Sequence, residues 1–193
     1  MTTWHWIRHG PTHEKTFVGW RDVPADLSDR QQIARLHAHL PQEALLISSD
    51  LIRSVATADA LDHPDRRRLD HAPDLRELHF GAWDGMHFSD VAARDPELSR
   101  AYWETPGDIA APSGESWNQT AARVNTVVDQ LNAAHPDRHI ISVAHFGVIL
   151  TQVQRALNLS AQEAMRHKID NLSVTSLTHR DGLWEVAHIN HLP

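Results

Sequence analysis

Three short apolar runs, each followed at once by small or charged polar residues, limit the fold of this 193-residue chain more than any other feature of its sequence. Continuous apolar runs of this length are typical of strands that are buried on both faces of a parallel sheet. The runs and the residues that follow them are TWHWI (3–7) with Arg8-His9-Gly10, ALLI (44–47) with Ser48-Ser49-Asp50, and HIISVA (139–144) with His145-Phe146-Gly147.

Helical patterns separate these runs. The clearest one covers residues 117–134, where apolar side chains recur at helical spacing. Ser116 and Gln119 form a capping box at its start, and Pro136 ends it. A second helix is expected after the ALLI run, with Ser49 or Asp50 as its cap.

Two further segments complete the predicted architecture. A pair of strands flanks Asp181-Gly182, which is a strong hairpin signal. Residues 80–113 contain three prolines and short helical pieces, and we expect them to form an insertion that covers the sheet edge. Strands that alternate with helices predict an α/β fold. We therefore predict one domain over residues 1–193, a three-layer α/β/α sandwich with a mostly parallel sheet and a helical insertion over the carboxyl ends of the strands.

Composition excludes several classes of protein. The formal charge of −7 argues against nucleic acid as a partner, because phosphate backbones require a basic surface. The absence of cysteine rules out thiol chemistry and thiolate metal sites. No apolar run is long enough to cross a membrane, and no signal peptide is visible, so we expect a cytoplasmic protein. The 16 histidines are scattered rather than grouped at ligand spacings, and the run Arg66–Arg68 is expected to be solvated.

The polar residues that follow the three runs are expected to lie together. Sites in parallel sheets form outside the carboxyl ends of the strands, and this rule places His9, Arg53 and His145 at one edge. Arg8 and Arg53 offer rigid forks of donors that match phosphate or carboxylate oxygens. Repulsion among these cations should lower the pKa of the imidazoles and leave one of them neutral and nucleophilic.

Each of these residues has a simpler structural interpretation when it is taken alone. An arginine at a strand end is usually in a surface ion pair, and a lone histidine there is more often a structural hydrogen-bonding group. Gly10 and Gly147, each just beyond a histidine, favour a site, because they let a ligand approach the backbone. No glycine-rich nucleotide-binding motif and no nucleophile elbow is present.

Four segments in order, from Trp6 to about Leu150, resemble the histidine phosphatase superfamily, and more closely its phosphoglycerate mutase-like branch. The segments are RHG, SSDLIRSVATA, LRELHFGAWDG and AHFGVI.

The resemblance implies a mechanism. His9 would be the nucleophile that takes the phosphoryl group, and Arg8, Arg53 and His145 would hold its oxygens. Glu77 would protonate the leaving oxygen and then activate water. The residues alone would not have distinguished Glu77 from Asp84 or Glu115. Neither a metal ion nor another cofactor is implied.

The resemblance also suggests which further residues bind the substrate. Thr12 follows Pro11, which stands where the family commonly has glutamate. Lys15 stands where asparagine is frequent and would add positive charge near the phosphoryl group. Phe146 stands where the family usually has glycine and would narrow the pocket beside Gly147. Three tryptophans are expected to pack in the core rather than to line the pocket: Trp20, Trp83 and Trp103.

Several functions stay open at this point. The short chain and the segment FGAWDGMHFSDV favour a phosphatase that acts on a small phosphorylated metabolite, whereas GWRDVP (19–24) resembles the substrate loop of the mutases. A phosphoglycerate mutase is therefore the alternative enzyme. A non-catalytic module that binds a phosphoryl ligand and a histidine-rich metal binder are the alternatives without this chemistry. A homodimer is an ordinary expectation for such a protein.

Overall fold

The computed structural model describes residues 1–193 and contains six strands, seven α-helices and two 3₁₀ turns. The strands are β1 (Thr2–Arg8), β2 (Ala44–Ser48), β3 (Arg66–Arg68), β4 (His139–Ala144), β5 (Val174–Arg180) and β6 (Leu183–His191). The α-helices are α1 (Arg30–His39), α2 (Ile52–Ala60), α3 (Phe88–Arg94), α4 (Pro96–Glu104), α5 (Trp117–Ala134), α6 (Phe146–Leu157) and α7 (Ala161–Ala164), and the 3₁₀ turns are Pro73–Leu75 and Gly81–Trp83.

The six strands form one sheet in the order β3-β2-β4-β1-β5-β6. The first four are mutually parallel, β5 pairs antiparallel with β1, and β6 pairs antiparallel with β5. Arg8 lies opposite Ala144, and Ser48 lies opposite Val143. The register therefore brings the carboxyl ends of β1, β2 and β4 side by side, and the predicted α/β fold with a mostly parallel sheet is confirmed.

Both faces of the sheet are buried, which explains why its central strands are continuously apolar. Trp4 and Trp6 point to one face, where their rings stack at 5.0 Å, and Ile7 points to the other. The first face packs on α5 and α6, and the second packs on α1 and α2. Each fully buried large side chain contributes about 1.5–3 kcal/mol, so the two cores hold the three layers together.

Side-chain capping was predicted for both α5 and α2, but only α5 has it. The capping box of α5 is confirmed, because Ser116 Oγ accepts from the Gln119 N–H (3.2 Å) and Gln119 Oε1 accepts from the Ser116 N–H (2.8 Å). The predicted cap of α2 is wrong. No side chain of the preceding turn caps this helix, and the Ile52 N–H instead donates to the Asp22 carboxylate (2.7 Å). Its first turn is therefore tied to a distant loop.

The remaining local predictions have mixed outcomes. The hairpin between β5 and β6 is confirmed, with Asp181 (φ 51°) and Gly182 (φ 81°) both in the left-handed region that a type I′ turn requires. Arg66 is buried rather than solvated, because its guanidinium donates to four backbone carbonyls. No helix combines the length and the apolar character needed to span a bilayer.

Residues 80–113 contain one 3₁₀ turn and two short helices, as expected, and they pack on the core. Trp83 is fully buried, its Nε1–H donates to Asp95 (2.8 Å), and its ring meets that of Tyr102 edge to face at 5.3 Å. Trp83 is thus a core residue, as predicted. Trp103 is only half-buried and lines a cleft, so the core interpretation was wrong for that residue.

Candidate active site

A cleft of about 230 Å³ opens at the carboxyl ends of the parallel strands. One side carries polar and charged groups, and the other side is aromatic. Its lining residues are Arg8, His9, Thr12, Glu14, Thr16, Phe17, Val18, Arg53, Glu77, Phe80, Phe88, Trp103 and Phe146.

His9 is held in one protonation state and one orientation. Its Nδ1 lies 2.7 Å from the Gly10 carbonyl oxygen, and since a carbonyl only accepts, Nδ1 carries the proton. Nε2 then has a free lone pair, which accepts from Arg53 Nε–H at 3.2 Å. Burial, together with the Arg53 charge, lowers the pKa of His9 to about 3. His9 is therefore a neutral imidazole whose Nε2 is able to act as a nucleophile.

Arg53 is buried in the wall of the cleft, with 1% of its surface exposed. It lies in the first turn of α2, as predicted. Its two terminal nitrogens donate to the backbone carbonyls of Arg21 (3.0 Å) and Gly19 (2.7 Å). These bonds fix the plane of the guanidinium, so that Nε–H points at His9 rather than at solvent.

Arg8 supplies the second cation. One terminal nitrogen donates to the Ile169 carbonyl (2.6 Å), and the guanidinium carbon lies 5.4 Å from the centre of the Phe146 ring. Its Nε–H is buried without a partner. An unpaired buried donor is costly, and an anionic oxygen in the cleft would satisfy it.

His145 lies behind His9, with 5.1 Å between the two ring centres. Its Nε2 is 2.7 Å from Ser49 Oγ and 3.2 Å from Ser54 Oγ, and its Nδ1 is buried without a partner. A serine hydroxyl that donates to Nε2 leaves the proton on Nδ1, which then is a free donor. Burial, and after it the Arg53 charge, holds the pKa of His145 well below its usual value. Both imidazoles are therefore neutral, and burial contributes more than the repulsion that the sequence suggested.

Glu77 is the carboxyl group of the cleft. Its Oε1 accepts from the N–H groups of Leu78 and Gly147, each at 3.0 Å. Burial raises the pKa of Glu77 above its ordinary value, although Arg53 and Arg8 oppose this effect. A carboxyl group with a raised pKa is able to donate a proton and then to take one up.

The two other carboxylates that the sequence left open are occupied elsewhere. Asp84 accepts from the N–H groups of Gly19 (3.1 Å) and Arg21 (3.0 Å). Glu115 forms a salt bridge with Arg123 at 2.9 Å. Neither carboxylate lines the cleft, and so the structure distinguishes Glu77 from them.

The two glycines next to the histidines pack closely against other parts of the protein. A β-carbon at position 147 would lie 2.6 Å from Glu77 Oε1, and one at position 10 would lie 2.5 Å from Leu27 Cδ2. The absence of a side chain leaves room for the Glu77 carboxylate and for Leu27. That a ligand approaches the backbone at these glycines stays a prediction.

The remaining candidates separate into two groups. Thr12 and Phe146 line the cleft, whereas Lys15 is exposed and does not. Glu14 takes part in the lining instead and forms a salt bridge with Arg21 (3.1 Å), so this part of the rim carries no unpaired positive charge. The chain contains no group of three or more His, Asp or Glu side chains arranged to hold a metal ion.

Sequence reasoning did not find the serines that contact His145 or the phenylalanines of the aromatic side. Ser49 was assigned to a helix cap, and no motif pointed to Ser54. Phe17, Phe80 and Phe88 come from irregular segments and a short helix start. No periodic signal could have placed them together.

A sequence model of the histidine phosphatase superfamily (branch 1) matches residues 5–192. A phosphoglycerate mutase-like protein of Arabidopsis thaliana is 30% identical over 96% of this chain and 85% of its own length. The chain spans about half the length (46%) of mycobacterial relatives that it matches at 30% identity, one of them described as a bifunctional protein of Mycobacterium tuberculosis.

Solved structures give the same result for the fold. YhfR of Bacillus stearothermophilus superimposes with a TM-score of 0.88 and 24% identity, covering 97% of this chain and 96% of that one. A mycobacterial glucosyl-3-phosphoglycerate phosphatase superimposes with a TM-score of 0.83 and 27% identity, covering 97% and 98% of the two chains.

Proposed function

Because the chain belongs to the histidine phosphatase superfamily (branch 1), we propose that it is a metal-independent phosphatase, which hydrolyses a small phosphomonoester through a phosphohistidine on His9. The observation that carries this proposal is the state of His9. Its Nδ1–H is bonded to the Gly10 carbonyl, and its unprotonated Nε2 accepts from Arg53 Nε–H at the wall of the cleft, a bond that Nε2 releases when it attacks. The mycobacterial glucosyl-3-phosphoglycerate phosphatase supports hydrolysis as the reaction type.

In the first step, His9 Nε2 attacks phosphorus, and the bond from phosphorus to the ester oxygen breaks. Glu77, whose pKa is raised by burial, acts in its acid form and gives its proton to the departing oxygen. The phosphoryl oxygens take up the unpaired Arg8 Nε–H and His145 Nδ1–H, and Arg53 adds its charge. The two guanidinium groups thus supply the positive charge that stabilises the transferring group.

In the second step, water attacks the phosphorus of phospho-His9, and the phosphorus–nitrogen bond breaks. Glu77, now a carboxylate, removes the proton from that water and returns to its acid form. The Nδ1–H of His9 stays bonded to the Gly10 carbonyl through both steps, so the ring leaves the cycle in the tautomer in which it entered. Inorganic phosphate is the second product.

The decisive experiment compares the wild type with His9→Ala, using p-nitrophenyl phosphate in the presence of a chelator. We expect chelator-resistant release of phosphate by the wild type and none by the variant. If turnover of a ³²P-labelled phosphate ester by the wild type is stopped with denaturant at alkaline pH, the protein should retain the label as phosphohistidine. Acid treatment should then release the label. Turnover by a pure, folded His9→Ala preparation would overturn the proposal.

A phosphoglycerate mutase is the second candidate, because the Arabidopsis relative has a mutase-like name. It predicts that 3-phosphoglycerate is isomerised and that a bisphosphate primer stimulates the reaction. Binding of phosphate without turnover would instead indicate a non-catalytic module. The cytoplasmic location, the homodimer and the small phosphorylated metabolite as substrate remain predictions.

A further inference from the structure

One side of the cleft is built almost entirely from aromatic rings. Phe17 is at its centre, with its ring centre 4.2 Å from Phe88, 4.9 Å from Phe80 and 5.9 Å from Trp103. Trp103 lies nearly parallel to Phe17, with 19° between the ring planes. Phe146 completes the lining. This side of the cleft is thus apolar and polarisable, with the rings of Phe80 and Phe88 inclined to Phe17 by 61° and 54°.

Phe88 distinguishes this surface from ordinary core packing. Its side chain is 59% exposed although its ring is in contact with the buried Phe17. Phe88 and the half-buried Trp103 both contact Phe17, so the exposed apolar surface is a contiguous patch rather than one side chain, and such patches mark ligand-binding sites. Phe88 and Trp103 therefore present apolar surface to the cleft, and the buried Phe17 supports both rings from behind.

The charges of the cleft point the same way. Apart from the groups assigned to the phosphoryl transfer, the only ionisable side chain that lines it is Glu14. The nearby Arg21 is engaged with Glu14 (3.1 Å), and Lys15 is exposed outside the lining. A leaving group with a carboxylate would meet the Glu14–Arg21 ion pair and find no unpaired cation to bind it.

We propose that this aromatic surface binds the leaving group of the substrate, and that the leaving group carries an aromatic ring and no carboxylate. The inference rests on the proposed phosphatase activity. An aromatic ring of the substrate would stack against Phe88 and Trp103 while the phosphate lies at His9. Substrates such as phosphoglycerate or phosphoserine are poorly matched to the same cleft.

The test uses two esters whose alcohols have similar acidity, 2-phenylethyl phosphate and ethyl phosphate, so that intrinsic reactivity does not differ. We expect kcat/KM to be about tenfold or more higher for 2-phenylethyl phosphate. Phe88→Ala should reduce this ratio several-fold. Leu183→Ala removes another exposed apolar side chain, at the start of β6, and should leave the ratio unchanged.

A binding experiment separates this inference from the activity. Calorimetry should detect tighter binding of 2-phenylethylphosphonate than of ethylphosphonate, and neither compound requires turnover. Equal affinities, or a kcat/KM ratio near one, would overturn the aromatic subsite even if both esters are hydrolysed. Absence of hydrolysis together with selective phosphonate binding would overturn only the proposed activity.

A variant of Glu14 tests whether the leaving group lacks a carboxylate. Glu14→Gln removes the partner of Arg21 at the rim, which leaves a positive charge there, and should raise kcat/KM for 3-phosphoglycerate relative to ethyl phosphate by several-fold. Glu43→Gln, which changes an exposed carboxylate that pairs with Arg138 away from the cleft, is the matched control. If the wild type hydrolyses 3-phosphoglycerate faster than 2-phenylethyl phosphate, the inference is wrong.

Discussion

Gly147 and Glu77 are in direct contact across 70 residues of sequence. The Gly147 N–H donates to the Glu77 carboxylate at 3.0 Å, and a β-carbon at position 147 would stand 2.6 Å from Oε1 of that carboxylate. The first turn of α6 therefore positions the proton donor of the proposed reaction. Position 147 has to be glycine because Glu77 occupies the space that a side chain would need.

Gly147→Ala should lower kcat by roughly tenfold or more, because the methyl group displaces the Glu77 carboxyl from the leaving oxygen. Gly107→Ala is the matched control, since its β-carbon would meet only the Asn118 side chain at 3.7 Å. Steady-state kinetics and thermal unfolding of both variants check this. A Gly147→Ala protein with full kcat would contradict the positioning role.

Glu77→Gln should affect substrates according to their leaving groups. An alkyl phosphate needs protonation of its oxygen, and its rate of phosphoryl transfer should fall by about 10²–10⁴-fold. p-Nitrophenolate leaves without a proton, so p-nitrophenyl phosphate should still phosphorylate His9 and give a burst, followed by slow hydrolysis. Stopped-flow absorbance measures both phases. Equal losses for the two substrates without a burst would contradict the acid–base role.

The pH dependence follows from two shifted pKa values. His9 is neutral above its lowered pKa of about 3, so it remains nucleophilic down to that pH. Glu77 donates a proton only below its raised pKa, and kcat/KM for an alkyl phosphate should therefore fall as pH rises through that value. A pH profile of the wild type should show this basic limb. The limb should vanish in Glu77→Gln, whereas a limb caused by ionisation of the substrate would persist.

Arg53→Lys should lower kcat by about 10²–10³-fold. An ammonium group keeps the charge but cannot donate at once to His9 and to the carbonyls of Gly19 and Arg21. Arg66→Lys is the control, because Arg66 is also buried and bonded to carbonyls but lies outside the cleft. Both variants should lose stability, and only Arg53→Lys should lose activity in the folded fraction.

Stability should rise with pH between about 3 and 6.5, because burial lowers the pKa of both His5 and His9 from 6.5 to about 3. Within this window the unfolded chain binds the protons that the folded protein excludes. Urea unfolding at several pH values measures the slope. His5→Gln removes one of these groups away from the cleft and should flatten the slope; an unchanged slope would assign the acid sensitivity to other groups.

The convergence of His9, Arg53 and His145 was predictable from the sequence, because the rule for parallel strands needs only the order of apolar runs and turns. Glu77 was not predictable in this way. It follows a 3₁₀ turn in an irregular segment, where no topological rule applies, and only the family resemblance located it.

The roles of the glycines could not be read from the sequence for a related reason. Gly10 packs against Leu27 and Gly147 against Glu77, and neither partner is adjacent in the chain. The predicted cap of α2 was wrong for the same reason, since the group that accepts from Ile52 N–H is Asp22, which lies 30 residues earlier in the chain. Sequence patterns predict contacts between residues that are close in the chain, whereas these three contacts join residues that are distant in the chain.

The bond from Ile52 to Asp22 has a consequence for how the cleft opens. The loop of residues 19–22 caps α2, accepts two bonds from Arg53 and is anchored by Asp84 on its other side. It cannot swing outward without uncapping the helix and releasing the guanidinium that orients the nucleophile. The loop thus couples the start of α2, the orientation of Arg53 and the position of Asp84, and a displacement of any one of them would disturb the other two.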